Sequence, residues 1–143
     1  MLLGVPDVFS PELLRTIMEM GHGDEIVLAD GNFPAASMAN RLIRADGHGV
    51  VPILEAILRF FPLDDFVQKS VLCMSVVPGD ATKPVIWEEF LRVLRAAPTP
   101  RSELAFLDRF EFYDRAKAAY AIVATGERAL YANVILKKGV VRQ

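Results

Sequence analysis

Both histidines of this chain sit between glycines, in Gly21-His22-Gly23-Asp24 and in Gly47-His48-Gly49. Glycine opens backbone conformations closed to other residues and lets a ligand approach the main chain. Imidazole has an unperturbed pKa of roughly 6.5, near working pH, so a histidine held this way can move protons. His22 lies where a helical pattern gives way to a strand pattern, which makes it the stronger candidate. For either histidine the other reading is a surface turn.

A second group is Asp30-Gly31-Asn32-Phe33-Pro34. Asp30 ends the apolar run Glu25-Ile26-Val27-Leu28-Ala29, and ligands of open α/β sheets collect outside the carboxyl ends of strands. The same five residues also make an ordinary turn. A third group is Tyr131-Ala132-Asn133. If Leu130 to Leu136 is a strand, alternation puts Tyr131 and Asn133 on one face. An asparagine there needs its amide satisfied, by a polar ligand or by a structural hydrogen bond. Arg109 heads Arg109-Phe110-Glu111-Phe112-Tyr113, a cation beside aromatic carbon that suits a sugar, or else a helix start with a surface ion pair.

The elements that must position these groups alternate between helix and strand, which argues for a mixed α/β layered domain. Ser10 and Pro11 make an N-cap and first helical position, and Leu13, Leu14, Ile17 and Met18 follow at helical spacing up to Gly21. Strands are expected at 25–30, 41–45 and 70–77, the last broken by Pro78-Gly79-Asp80. Helices are expected from Pro52 to Phe61, from Pro84 to the prolines at 98 and 100, and from Glu111 to Ala119. Ala121 to Ala124 and Leu130 to Leu136 read as a closing strand pair around Thr125-Gly126-Glu127. Trp87, on an amphipathic helix, reads as core. No linker or repeat divides the chain, so residues 1–143 are expected to form a single domain.

Composition narrows the function. Lysine and arginine total 16 against 18 acidic residues, a net charge of -2, with no basic stripe to neutralise phosphates; nucleic acid is not an expected partner. A mean hydropathy of +0.29 is high for a small soluble monomer, and burial of the excess between subunits would account for it. The single cysteine, Cys73, rules out an internal disulfide and suits a reducing compartment. The start of the chain lacks the charged flank and apolar stretch of a signal peptide, and no run is long enough for a membrane span, so a cytoplasmic protein is expected. Two histidines and one cysteine make no metal cluster of familiar spacing. The nucleophile elbow, the P-loop and the dinucleotide fingerprint are missing. Acid/base chemistry without metal or cofactor is the simplest enzymatic option.

Several segments resemble the L-fucose mutarotase family, related to the D-ribose pyranases. They are Ser10-Pro11-Glu12-Leu13-Leu14, Met20 to Asp30, Asn32 to Ala35, Ile43 to Gly47, Phe61 to Asp64, Val76 to Asp80, Arg109 to Tyr113, Ala124 to Glu127 and Tyr131 to Gly139. The resemblance runs the length of the chain, and the Met20–Asp30 block is its most specific part. It implies a three-layer α/β/α fold on a central mixed sheet, assembling into rings, often decamers. It implies interconversion of sugar anomers, with His22 as the acid/base group and Tyr131 as a candidate second proton partner. Asp30, Arg109, Tyr131, Ala132 and Asn133 fall on the sugar-contacting positions, and no cofactor or metal is implied. The Arg109 segment favours L-fucose. D-ribose pyranase and a non-catalytic sugar-binding or regulatory ring protein are the alternatives.

Overall fold

The computed structural model describes residues 1–142. Six strands form one sheet in the order β2-β5-β1-β6-β3-β4. They are β1 (Glu25–Ala29), β2 (Leu42–Ala45), β3 (Val71–Met74), β4 (Ala105–Leu107), β5 (Ala121–Thr125) and β6 (Val134–Lys137). Strands β1 to β5 run in one direction and β6 alone runs against its neighbours β1 and β3. The expected mixed sheet is therefore present.

Both faces of the sheet are covered, so its strands are apolar on both sides, as parallel strands must be. Ile26 and Leu28 of β1 share a core with Leu13, Ile53, Ile57, Phe90 and Leu94. These come from α1 (Pro11–Glu19), α3 (Val50–Leu58) and α4 (Ile86–Ala96). Val27 and Ala29 point the other way and join Phe33, Ala35, Phe112 and Ala116, on or beside α2 (Ala35–Met38) and α5 (Arg109–Ala118). The result is the expected three-layer α/β/α arrangement. Cys73 of β3 is buried within the first of these cores, and burial pushes its thiol pKa up to about 12.

Local chemistry sets the ends of several elements. Ser10 caps α1, its hydroxyl accepting the Leu13 N–H at 3.1 Å. α3 begins two residues before the expected Pro52, because the Glu127 carboxylate accepts the Val50 N–H at 3.2 Å. α5 also begins two residues early, with Asp108 and Glu111 forming a capping box that puts Arg109 at the first helical position. α2 is one turn and β4 three residues, both too short to leave a periodic signal.

The expected closing hairpin does not form. β1 lies between β5 and β6, and the last strand starts at Val134 rather than Leu130. The turn at Thr125-Gly126-Glu127 instead runs back under the loop at Asp46. A Cβ at Gly126 would stand 2.1 Å from the Asp46 carbonyl oxygen. Gly126→Ala should therefore cost about 1–3 kcal/mol, as other overpacked sites do, seen as a lower urea midpoint with an unchanged m-value.

No helix among the described residues is long and apolar enough to cross a membrane, and they contain no metal-binding cluster of His, Cys, Asp or Glu.

Candidate functional site

The carboxyl ends of β1, β3, β4 and β5 open on one edge of the sheet, where the chain also enters the antiparallel β6. Asp30 follows β1 directly and is 5 % exposed. Its N–H donates to Asn133 Oδ1 at 2.9 Å, and Asn133 Nδ2 donates to its Oδ2 at 2.8 Å. The Asn32 N–H donates to Oδ1 at 2.9 Å. The buried amide of Asn133 is thus satisfied inside the protein, and its work is to brace Asp30. Burial raises the Asp30 carboxyl pKa above its ordinary value, against the opposing pull of N–H donors from Asn32, Asn133, Phe33 and Ala132. The Asn32 and Asn133 bonds take one lone pair on each carboxylate oxygen, and the Phe33 and Ala132 N–H groups bear on the rest.

The loop carrying Asp30 is clamped from the side. Thr125 Oγ1 donates to the Ala29 carbonyl at 2.8 Å, and the Gly31 N–H donates to the Glu127 carbonyl at 2.9 Å. Phe33 meets Phe112 and Tyr113 edge-on, with ring centroids 5.8 and 5.5 Å apart. That packing brings the start of α5, and with it the exposed Arg109, to the same edge. The Arg109 guanidinium is close enough to Tyr131 to act on the titration of the phenol.

Tyr131 is not on a strand. Its φ of 60° is the only positive value for a non-glycine among the described residues, and such a conformation costs on the order of 1–3 kcal/mol unless its surroundings enforce it. They do. Trp87 Nε1 donates to the Tyr131 carbonyl at 3.1 Å, and the Val77 N–H donates to the phenol oxygen at 3.4 Å. The phenol itself donates to Asp80. The expected alternation of Tyr131 and Asn133 on one strand face therefore fails, because both residues lie before β6 and the left-handed residue turns the chain. Trp87, expected as core, is half-buried against Phe106 at 4.7 Å and uses its indole N–H to fix this turn.

Asp30, Arg109, Tyr131, Ala132 and Asn133 thus share one edge, with Ala132 and Asn133 buried, Tyr131 half-buried and Arg109 exposed. His22 does not join them. It precedes β1, at the opposite edge, beside Lys138 where β6 has ended; the Gly23 N–H donates to the Lys138 carbonyl at 2.8 Å. The five residues of β1 put about 17 Å between the two edges.

His22 has a site of its own. Its Nε2 is 3.2 Å from Oδ1 of Asp64, a carboxylate 2 % exposed, and its ring lies 5.3 Å from that of Phe66. Burial works to raise the Asp64 pKa, but the Phe66 N–H and the His22 ring outweigh it and leave the group below its usual value. Arg101 Nη2 donates to the Asp64 carbonyl at 2.9 Å, which fixes the main chain there. The imidazole is 46 % exposed, so one nitrogen is held by a carboxylate and the other is free to face outward. The Gly21 N–H donates to Asp24 Oδ2 at 2.7 Å, and Gly23 takes a φ of 87°. Gly23 is therefore required by the turn, while at Gly21 a Cβ would meet nothing nearer than Asp24 Oδ2 at 3.8 Å. Around His48 the Gly49 position is closed by Glu127 at 2.7 Å, and the exposed ring has no bond to any other described residue.

Three residues that support these groups were not candidates from sequence: Asp64, Asp80 and Trp87. Asp64 and Asp80 lie in segments of the family resemblance, which was their only available signal.

Known proteins bear on this arrangement. Residues 4–141 match the RbsD / FucU transport protein family. The chain is 52 % identical to the fucose mutarotase of Homo sapiens, over 97 % of this chain and 94 % of that one. It is 47 % identical to the L-fucose mutarotase of Actinobacillus pleuropneumoniae serotype 5b, over 98 % and 97 %. It also resembles the crystal structure of the Streptococcus pneumoniae fucose mutarotase in complex with L-fucose, with a TM-score of 0.94 and 52 % identity over 99 % of this chain and 100 % of that one. With the family model matched from end to end and half of all residues shared with single relatives, this chain belongs to the RbsD / FucU family.

Proposed function

We propose that the chain is an L-fucose mutarotase, an isomerase that interconverts the α and β anomers of the free sugar through one domain spanning residues 1–143. The observation that carries this reading is its 52 % identity, over its whole fold, to a fucose mutarotase whose structure holds L-fucose.

The chemistry follows from the residues. Anomer exchange in a free aldose requires the ring to open and to close on the other face. One group takes the proton of the anomeric hydroxyl, another supplies a proton to the ring oxygen, and no covalent bond to the protein is needed. Asp30, braced by Asn133, and Arg109 hold the sugar hydroxyls, with the main chain of Ala132 beside them. His22 supplies the proton to the ring oxygen. With Nε2 turned to Asp64, Nδ1 is the nitrogen that faces the sugar. Tyr131 is the second proton partner.

His22 lies one strand-length from the other groups in its own protomer, so a neighbouring copy brings it to them. The surfaces suit such a contact: Phe60, Phe66 and Val141 are exposed on the His22 side, and Phe106, Phe110 and Leu130 near the sugar-binding edge. A homo-oligomeric ring, decameric in the family resemblance, gives every protomer such a neighbour, and the cytoplasm is where free fucose would be met.

Saturation transfer between the anomeric protons of L-fucose, with and without protein, tests the function. Accelerated exchange is the expected result. Acceleration of pyranose–furanose exchange in D-ribose alone would make the chain a ribose pyranase. Saturable binding of fucose without faster exchange would make it a sugar-binding protein.

A further inference from the structure

We propose that Asp80 is a positioning residue for the reaction: by accepting the hydroxyl proton of Tyr131, it leaves the phenol oxygen as an acceptor for the anomeric hydroxyl of the sugar. The proposal rests on the mutarotase reading and assigns the direction of the proton that leaves the substrate.

The geometry around Tyr131 leaves little freedom. A phenol has one proton and two lone pairs. The proton is committed to Oδ2 of Asp80, and the Val77 N–H occupies one lone pair at 3.4 Å. Asp80 is fixed in turn, since its Oδ1 accepts the Thr82 N–H at 2.8 Å and the Thr82 hydroxyl at 2.6 Å. All three anchors come from the segment between β3 and α4, and Trp87 at the start of α4 holds the Tyr131 carbonyl. One lone pair of the phenol remains, and only a donor can use it.

Ring opening needs such an acceptor. As the bond between C1 and the ring oxygen breaks, its electron pair stays on the ring oxygen, which takes a proton from His22. The O–H pair of the anomeric hydroxyl becomes the second C1–O bond. Its proton passes to the phenol oxygen while the phenol's own proton moves to Oδ2 of Asp80. Closure reverses each transfer on the other face of the carbonyl, so His22, Tyr131 and Asp80 all return to their starting states.

The test compares Asp80→Ala, Asp80→Asn, Tyr131→Phe and the double variant Asp80→Ala/Tyr131→Phe by saturation transfer on L-fucose. Asp80→Ala is expected to lower the maximal exchange rate about tenfold, the value of one hydrogen bond to a charged group, with little change in KM. The Asp80→Asn variant keeps a hydrogen-bond acceptor for the phenol but no group that can take its proton, so it should exchange no faster than Asp80→Ala. Asp80→Ala should cost nothing further in the Tyr131→Phe background. Equal losses in both backgrounds, or wild-type exchange in Asp80→Ala, would overturn the proposal.

Ultraviolet titration of the phenol, taken as wild type minus Tyr131→Phe, reads the same pairing without any sugar. Asp80 raises the Tyr131 pKa against the lowering influence of Arg109, so Asp80→Ala should move the curve to lower pH. An unmoved curve defeats the proposal whether or not the protein acts on fucose. A wild type inactive on both fucose and ribose would instead remove the mutarotase reading.

Discussion

His22→Ala should lose about 10²–10⁴-fold in anomer exchange, the usual value of a positioned acid/base group, while the protein stays folded. The loop around His22 depends on main-chain bonds that the variant keeps, from Gly23 to Lys138 and from Asp24 to Gly21, and the ring is half exposed. The Asp64 carboxylate loses one partner but retains the Phe66 N–H at 3.0 Å. Fucose affinity should change little, because the groups that hold the sugar lie at the other edge of the sheet. Saturation transfer gives the exchange rate, and fucose-dependent thermal shifts give binding. Wild-type exchange in this variant would put the proton transfer on another residue. Loss of folding would show instead that the ring is needed to neutralise Asp64.

The contrast between the two edges also shows where sequence reasoning ended. Elements with a local cause were legible: the Ser10 cap, the strand ending on Asp30, the proline that limits α3, the left-handed Gly23 of the turn at His22. Pairing across the sheet was not. Asp30 and Asn133 are 103 residues apart yet form two reciprocal bonds, and no pattern in either segment announces them. The apparent hairpin of the last two strands failed for the same reason, since a strand with two apolar faces carries no mark of its neighbours. The resemblance placed His22 and Asp30 in one site. Their separation within a protomer emerges only once β1 is seen as a straight strand between them. Tyr131 looked like strand because Tyr, Ala and Asn precede a β-branched run; its left-handed turn is imposed by Trp87, Val77 and Asp80, all distant in sequence.

That separation makes a second expected result as large as the first. His22→Ala and Arg109→Ala should each be nearly inactive alone, yet co-expression of the two should restore exchange. Arg109 is exposed and sits at the capped start of α5, so its removal leaves the core untouched while costing the sugar a charged hydrogen-bond partner, about 10–100-fold by the usual value of such bonds. If each site takes its histidine from one protomer and its arginine from the next, random mixing makes about one site in four whole. Exchange by the mixture should therefore approach about a quarter of the wild-type rate per protomer, far above either parent. Two affinity tags, one on each variant, allow hybrid oligomers to be isolated before the measurement. Hybrids that stay as inactive as their parents would mean that no partner supplies the missing group. His22 would then have to reach Asp30 within one chain, which a strand-length of about 17 Å forbids without refolding β1, and the loss in His22→Ala would have to arise from something other than proton transfer at the sugar.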